Sequence, residues 1–299
     1  KIIHRINECD ERKGTLGINK YYIEANKIAD YTVFVSEWLK NTFIKSGFSS
    51  KNNEVIMSGS DSEIFNDDGR LFWDGTEPLR IVTHHWGNDL NKGFDIYQYL
   101  DENIQKKFKN KIEFTYIGNT NSEVEFKSTN VIKPKSGIEL ANLIKKNHIY
   151  LTASINEPSG NHHIEGAQCG LPIIYRKSGG IPEFAQGFGV GFQEVEDFIE
   201  AIEEIQKNYN DYFHKMEKYP FNSESMSRDY LDLFYKLSSL ELKTELGNKK
   251  SNVISIYYQK FFYYINKFLN IINLYNLKVK IKKYLLIKVP IFENEKNVV

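Results

Sequence analysis

Between residues 79 and 176 four short runs recur: LRIVTHH (79–85), KIEFTYIGN (111–119), HIYLTAS (148–154) and LPIIYR (171–176). Their β-branched and aromatic content reads as strand. Helical apolar spacing fills the intervals, over roughly 92–108, in SGIELANLIKKN and after Gly160. Strands separated by a helix cannot close as hairpins, so they must pair in parallel through crossovers. This rhythm constrains the fold more than any other feature of the chain. It predicts an α/β sheet with helices on its faces.

A shorter series of the same kind precedes it. INKYYIEANKIAD has apolar residues at helical spacing (Ile18, Tyr22, Ala25, Ala29), YTVFVS (31–36) is a strand, EWLKNTFIKSG is a helix stopped by Gly47, and EVIMSG (54–59) is a strand. Residues 58–78 are rich in Gly, Asp and Ser without a period, which suits a connection between domains. Ser136 and Glu139 have capping-box spacing ahead of a helix. After Gly191 the pattern turns helical. The expected units are a partial α/β domain at 1–62, a linker at 63–78, a ligand-binding α/β domain at 79–190, helices at 191–245 and a tail at 246–299.

With 299 residues there is length for two domains. Lys plus Arg and Asp plus Glu balance at 39 each, so nothing points to nucleic acid as a partner. Two cysteines, Cys9 and Cys169, argue against a disulfide framework and for a reducing, cytoplasmic location. No uncharged run reaches the roughly 20 residues of a spanning helix. The chain opens on KIIHRIN, apolar from Ile2 and without Met, which reads as an internal strand and therefore as a protein lacking part of a domain. From Ser251 to Phe292 seven Lys and no acid alternate with Tyr, Phe, Ile and Leu. That tail reads either as a peripheral segment on an anionic membrane surface or as a helix packed on the protein.

In an open α/β sheet ligands bind outside the carboxyl ends of the strands. Four polar stretches fall there: HHWGNDLNKG, Gly118 with Asn119, NEPSGNHHIE, and SGG at 178–180. A helix beginning near Asn161 leaves unpaired amides and a partial positive charge, and Gly160 lets a ligand approach them closely. Together with Lys92, beside Gly93, these favour a phosphate. Glu165, one turn into the helix, suits a diol such as a ribose, and Glu157 suits a second polar group of the same ligand. His84, His85, His162 and His163 come with no His-Glu-x-x-His, Cys cluster or Asp-rich loop, so they read as pocket lining, with no metal site expected.

Glu157 and Glu165, with seven residues between them, form an E-x7-E motif. ADYTVFVSEWLK, VIMSGSDSEIF, NKGFD, TYIGN, EPSGNHHIEGAQCGLPIIY and SGGIPE accompany it in order. Over about residues 1–240 the chain resembles the retaining glycosyltransferases of family 4 (glycosyl transferases group 1), which have the GT-B fold. The resemblance implies a Rossmann-like donor domain, a partial N-terminal Rossmann-like acceptor-side domain lacking much of its length, and a helical C-terminal extension. It implies a nucleotide-diphosphate sugar as substrate, UDP- or GDP-linked, no cofactor, and a glycan, lipid-linked or protein acceptor. Lys92 and Gly93 would meet the diphosphate, Glu165 the ribose, and Gly160, Asn161 and His162 the phosphate and sugar. Glu157 would serve the sugar hydroxyls as a catalytic residue. Gly118 and Asn119 with KPKSGIEL would flank the base, and His4, at the end of the KII strand, would lie near the transferred sugar. The family places an Arg shortly before the Lys. THHWGNDLNKG has none, so either His84 or His85 substitutes or phosphate binding is weaker. A non-catalytic nucleotide- or partner-binding remnant of the same fold is the alternative reading.

Overall fold

The computed structural model describes residues 1–239 and residue 264. But for that single residue, the basic tail at 246–299, with its candidate membrane segment at 251–292, lies outside the described residues. The first half runs β1 (Ile3–Ile6), α1 (Asp10–Lys13), α2 (Ile18–Asn26), β2 (Tyr31–Phe34), α3 (Glu37–Lys45) and β3 (Asn53–Val55). The second runs β4 (Leu79–His85), a 3-10 turn (Leu90–Lys92), α4 (Phe94–Asn103), β5 (Ile112–Gly118), β6 (Asn130–Ile132), α5 (Gly137–Ile144), β7 (Ile149–Thr152) and α6 (Asn161–Gln168). It continues through β8 (Ile173–Arg176), α7 (Ile181–Ala185), β9 (Gly189–Phe192), α8 (Val195–Lys207), α9 (Tyr209–Lys215) and α10 (Ser223–Ser239).

Every strand pair is parallel, as the crossover rhythm requires. The first sheet has the order β1-β2-β3, the second β6-β5-β4-β7-β8-β9. In the second sheet the chain grows outward from β4 on one side and from β7 on the other. The connections on the two sides therefore diverge between β4 and β7, leaving a crevice at their carboxyl ends.

The central strands of the second sheet, β4, β7 and β8, are buried on both faces, so alternate residues feed different cores. Ile81, Ile149, Leu151 and Ile174 pack with Phe94, Tyr97 and Leu100 of α4 and with Phe198 and Ile202 of α8. Val82 and Tyr150, one residue out of step, pack with Leu140 and Ile144 of α5. Ile173 and Tyr175 meet Ile164 and Ala167 of α6 and Phe184 of α7. In the first sheet Phe34 packs with Leu39, Phe43 and Phe48. Tyr31 and Val33 on the other face meet Leu233 and Leu237 of α10. The last described helix therefore returns to cover the first sheet.

Some local expectations need correction. Ser136 is the N-cap of α5, but its side chain makes no capping bond, and Glu139 pairs with Lys135 instead. A reciprocal capping box forms at α8, between Glu194 and Asp197. The strand expected at 54–59 is only Asn53–Val55, because Ser60 bridges to Asn222 and draws the chain toward the second half. β6, β9 and α7 were not foreseen. The helical stretch expected after Gly191 starts at Val195, since Gly189–Phe192 pairs with β8.

Candidate functional site

The crevice is built by two loops that are tied to each other. The loop after β4 passes through Trp86–Asp89 into the 3-10 turn that ends at Lys92. The loop after β7 runs from Ala153 to Gly160. The Ile155 amide donates to the Asn91 carbonyl at 2.8 Å, which locks the two together. Arg176, at the end of β8, donates to the Ala153 carbonyl at 3.2 Å and pairs with Asp95, fixing the start of the second loop. Gly180 donates to the Glu157 carbonyl at 2.8 Å from the SGG turn.

Within this frame Lys92 and Glu157 meet, with Nζ 3.0 Å from Oε2. A second cation arrives from the first half. Arg12 of α1 places Nε 3.0 Å from the same Glu157 oxygen and Nη1 3.1 Å from Asp89 Oδ1. The backbones join as well: Asn91 Nδ2 donates to the Arg12 carbonyl at 3.2 Å and Asn156 Nδ2 to the Glu11 carbonyl at 3.3 Å. Burial alone would raise the Glu157 pKa, but Lys92 and Arg12 outweigh it, and the carboxyl sits below the ordinary range. Glu157 is therefore an ionised, buried carboxylate between two cations.

Glu157 also leans on the start of α6. Gly160 is the N-cap, at φ +71°, and no side chain caps the helix. A Cβ at Gly160 would lie 2.8 Å from Glu157 Cγ and 2.9 Å from His162 Cε1, so any larger residue is excluded by backbone and neighbours alike. Asn161 is the first helical residue and is exposed. Glu165, one turn on, is held through Oε2 by His84 Nε2 at 2.8 Å, and Tyr150 Oη lies 3.0 Å from His84 Nδ1.

The other imidazoles line the floor. His85 Nε2 is 2.8 Å from Tyr97 Oη, and His162 Nε2 is 2.8 Å from Thr152 Oγ1. Burial, reinforced by neighbouring cations and imidazoles, pushes the pKa of both well down. Burial also lowers His163, to about 4. Of the two histidines that could substitute for the family's Arg, His85 is thus held neutral by burial and His84 is engaged by Glu165.

Gly118 ends β5 with the His85 carbonyl 2.0 Å from where its Cβ would stand, a contact only glycine permits. Asn119 donates from Nδ2 to the Trp86 carbonyl at 2.8 Å. Beside it lies a small cleft lined by His84, His85, Trp86, Ile117, Pro134 and Lys135. Gly93 closes the 3-10 turn and opens α4. His4 lies second in β1, not at the strand's end, and bonds Asn26 Oδ1 at 2.8 Å with its ring edge-on to Tyr22. None of its described contacts is with Lys92, Glu157 or Glu165.

Sequence reasoning missed Arg12. A signal existed: CDERKG follows the β1 strand, so the rule that ligands gather at carboxyl ends applies there too. Both cysteines are buried and unpaired, and burial pushes both thiols up, so neither is a nucleophile. Among the described residues no three His, Cys, Asp or Glu side chains gather as metal ligands, and no helix is long and apolar enough to cross a membrane.

Residues 87–208, a stretch that takes in Lys92, Glu157 and Glu165, match the family described as Glycosyl transferases group 1. No curated protein matches the chain by sequence. Solved structures are similar to it in fold. A sucrose-phosphate synthase from Thermosynechococcus elongatus superposes with a TM-score of 0.59 at 17% identity, covering 79% of this chain and 67% of that one. Anabaena HepE in complex with UDP and glucose gives 0.60 at 15% identity over 80% of this chain and 71% of its own. The pneumococcal O-GlcNAc transferase GtfA, in complex with UDP and GlcNAc, gives 0.59 at 13% identity over 80% and 53%. With the parallel sheets and C-terminal helices described above, these likenesses show the expected GT-B-like α/β fold.

Proposed function

We propose that this chain is a retaining glycosyltransferase of hexosyl type, which takes a UDP- or GDP-sugar as donor and a glycan, lipid-linked or protein acceptor. One observation carries the reading: Lys92 and Glu157 meet at 3.0 Å in front of an α6 N-terminus that no side chain caps, at the point where the sheet's connections diverge. An uncapped helix start beside a lysine is an anion site by its charge and its unpaired amides. HepE holds UDP and glucose, and GtfA holds UDP and GlcNAc, on a similar fold.

In this reading Lys92, Gly93 and the first amides of α6, from Gly160 through His162, take the diphosphate. Glu165, steadied by His84, takes the ribose diol, and Gly118 with Asn119 flanks the base. Glu157 accepts from sugar hydroxyls. As the bond to the sugar breaks, negative charge grows on the departing diphosphate, and Lys92 with the helix N-terminus stabilises that charge more than the bound donor. Attack from the leaving-group side, with the departing phosphate accepting the acceptor's proton, returns the sugar with retention. The unpaired cysteines agree with a reducing, cytoplasmic location.

Calorimetry with UDP and GDP tests the donor site. Wild type is expected to bind one of them, and Lys92→Ala with Glu165→Ala to weaken it by at least about tenfold, as loss of a charge-assisted contact implies. Equal, negligible binding by both proteins removes the reading. Release of sugar from a nucleotide sugar by the purified protein separates a transferase from a module that only binds.

A further inference from the structure

We infer that Arg12, carried by the first half of the chain, is a donor-binding residue that shares the diphosphate with Lys92, so that the anion site is completed across the two halves. The inference rests on the donor reading above and adds to it a residue that neither the spacing of the motifs nor the second sheet supplies.

The argument begins with an electrostatic oddity. Lys92 Nζ and Arg12 Nε both lie 3.0 Å from one oxygen, Glu157 Oε2. The side chains of all three are nearly buried, at 13%, 7% and 12% exposure. Two cations crowded onto one oxygen repel each other in a place where water screens them little. A strut between the halves would not need this, because a carboxylate of its own would hold Arg12 at lower cost. Asp89 pairs with Arg12 as well, but its side chain is half exposed, and its charge is correspondingly screened. The described groups facing the trio add no further cation, since His85, His162 and His163 are held neutral by burial. Glu157, Asp89 and Glu8 keep Arg12 charged, and a diphosphate, an anion with several oxygens, is able to take Arg12 and Lys92 at once. Glu157 then gives up part of its hold on the cations and is released toward the sugar.

The geometry of Arg12 fits that task. Its planar fork matches phosphate oxygens. Nε and Nη1 are committed to Glu157 and Asp89, and Nη2 has no partner among the described residues. The backbone that carries it is rigid: the Asp10 carboxylate accepts from Thr15 Oγ1 at 2.8 Å and from the amides of Gly17, Ile18 and Asn19 at 3.0, 3.0 and 3.1 Å. Asn91, next to Lys92, grips the Arg12 carbonyl. Preorganisation of this kind belongs to a residue that must meet a ligand in fixed register. It also explains how a loop with no Arg before Lys92 gains a second cation: position 12 supplies it from the other sheet.

The test uses the full chain and whichever of UDP and GDP binds wild type more tightly, alongside its nucleoside. Arg12→Ala is expected to lose about tenfold or more in diphosphate affinity, with nucleoside affinity unchanged. Arg12→Lys is expected to recover part of the loss, and Arg12→Gln none of it. Should the Ala protein fail to fold, the Lys and Gln variants decide by the same comparison. Unchanged diphosphate affinity in Arg12→Ala, beside a clear loss in Lys92→Ala, overturns the inference and leaves the donor reading standing. Equal loss for nucleotide and nucleoside makes Arg12 a strut and overturns it too. Failure of wild type to bind either nucleotide removes both.

Discussion

The two halves share one construction, parallel strands joined by helices, yet they contribute to the site in different ways. The second sheet has six strands and an internal point of divergence, so topology alone gives it a crevice. The first has three described strands of four, four and three residues and no such point. Its charged contribution comes from α1, which carries Arg12. The halves also differ in what completes them. The second buries its strands between helices of its own. The first relies on α10, from the far end of the described chain, to cover the face of Tyr31 and Val33. A half finished by a distant segment ought to be the one whose stability is most easily detached from its neighbour.

That expectation can be broken most sharply at Leu237. It is 3% exposed and packs with Leu233 against Tyr31, Val33 and Ile56. Leu237→Ala is expected to cost about 3 kcal/mol, within the range for deleting buried Leu side chains. The loss should concentrate in the first sheet. Hydrogen exchange read peptide by peptide checks this: faster exchange in β1–β3 with β4, β7 and β8 unaffected is the expected result. Equal acceleration in both sheets would mean that the two halves unfold as one unit.

Acid should act on the opposite half. His85, His148, His162 and His163 all belong to the second, and burial lowers the pKa of each, His148 and His163 to about 4. A histidine whose folded pKa lies below its unfolded value of about 6.5 contributes stability that is complete above that pH. The contribution is lost as pH falls from about 6.5 toward 4. For fully buried His163 the loss between pH 6.5 and 5 is about 2 kcal/mol. Urea denaturation at pH 7 and pH 5, followed by hydrogen exchange, should show the second sheet loosening first. A first sheet that gives way earlier, or equal stability at the two pH values, contradicts the comparison.

How much of this was visible in the sequence depends on the distance over which each feature is specified. β4, β5, β7 and β8 were legible because each is a β-branched run bounded by polar turns, a purely local signal. β9 was not, because Gly189 and Gly191 leave only Val190 and Phe192 as strand-forming residues in it. In the fold positions 189 and 191 are glycine because a Cβ at 189 would lie 1.7 Å from the Ile173 carbonyl oxygen and one at 191 would press on Tyr175. β6 is three residues at a sheet edge, two of them exposed, too short to leave a pattern. The same division runs through the site. Lys92, Gly160 and Glu165 could be placed from spacing along one or two loops. Arg12 is 145 residues from Glu157, and no period connects them. The histidines read as lining because no ligand spacing joined them, whereas the missing return bond of a capping box at Ser136 goes with Lys135 drawing Glu139 away.

The smallest of the expected effects lies where the halves touch away from Arg12. The first turn of α3 has its amides satisfied from two sources. Ser36 Oγ accepts from Leu39 N at 3.2 Å, within the first half. Glu183 of α7, in the second half, accepts from Glu37 N at 2.8 Å and from Trp38 N at 2.7 Å. A helix of the first half is thus capped in part by a carboxylate of the second, which also suits the dipole at that end. Glu183→Ala should cost about 1 kcal/mol, the usual size of a lost cap. Because Ser36 still serves Leu39, the helix should fray by its first turn only, and nucleotide affinity should hold. Faster exchange confined to the Glu37 and Trp38 amides is the expected signature, checked by amide-resolved hydrogen exchange. If Glu183→Ala instead weakened nucleotide binding as much as Arg12→Ala, the two contacts would be acting together to set the approach of the halves, and the assignment of charge to Arg12 alone would give way to one of alignment.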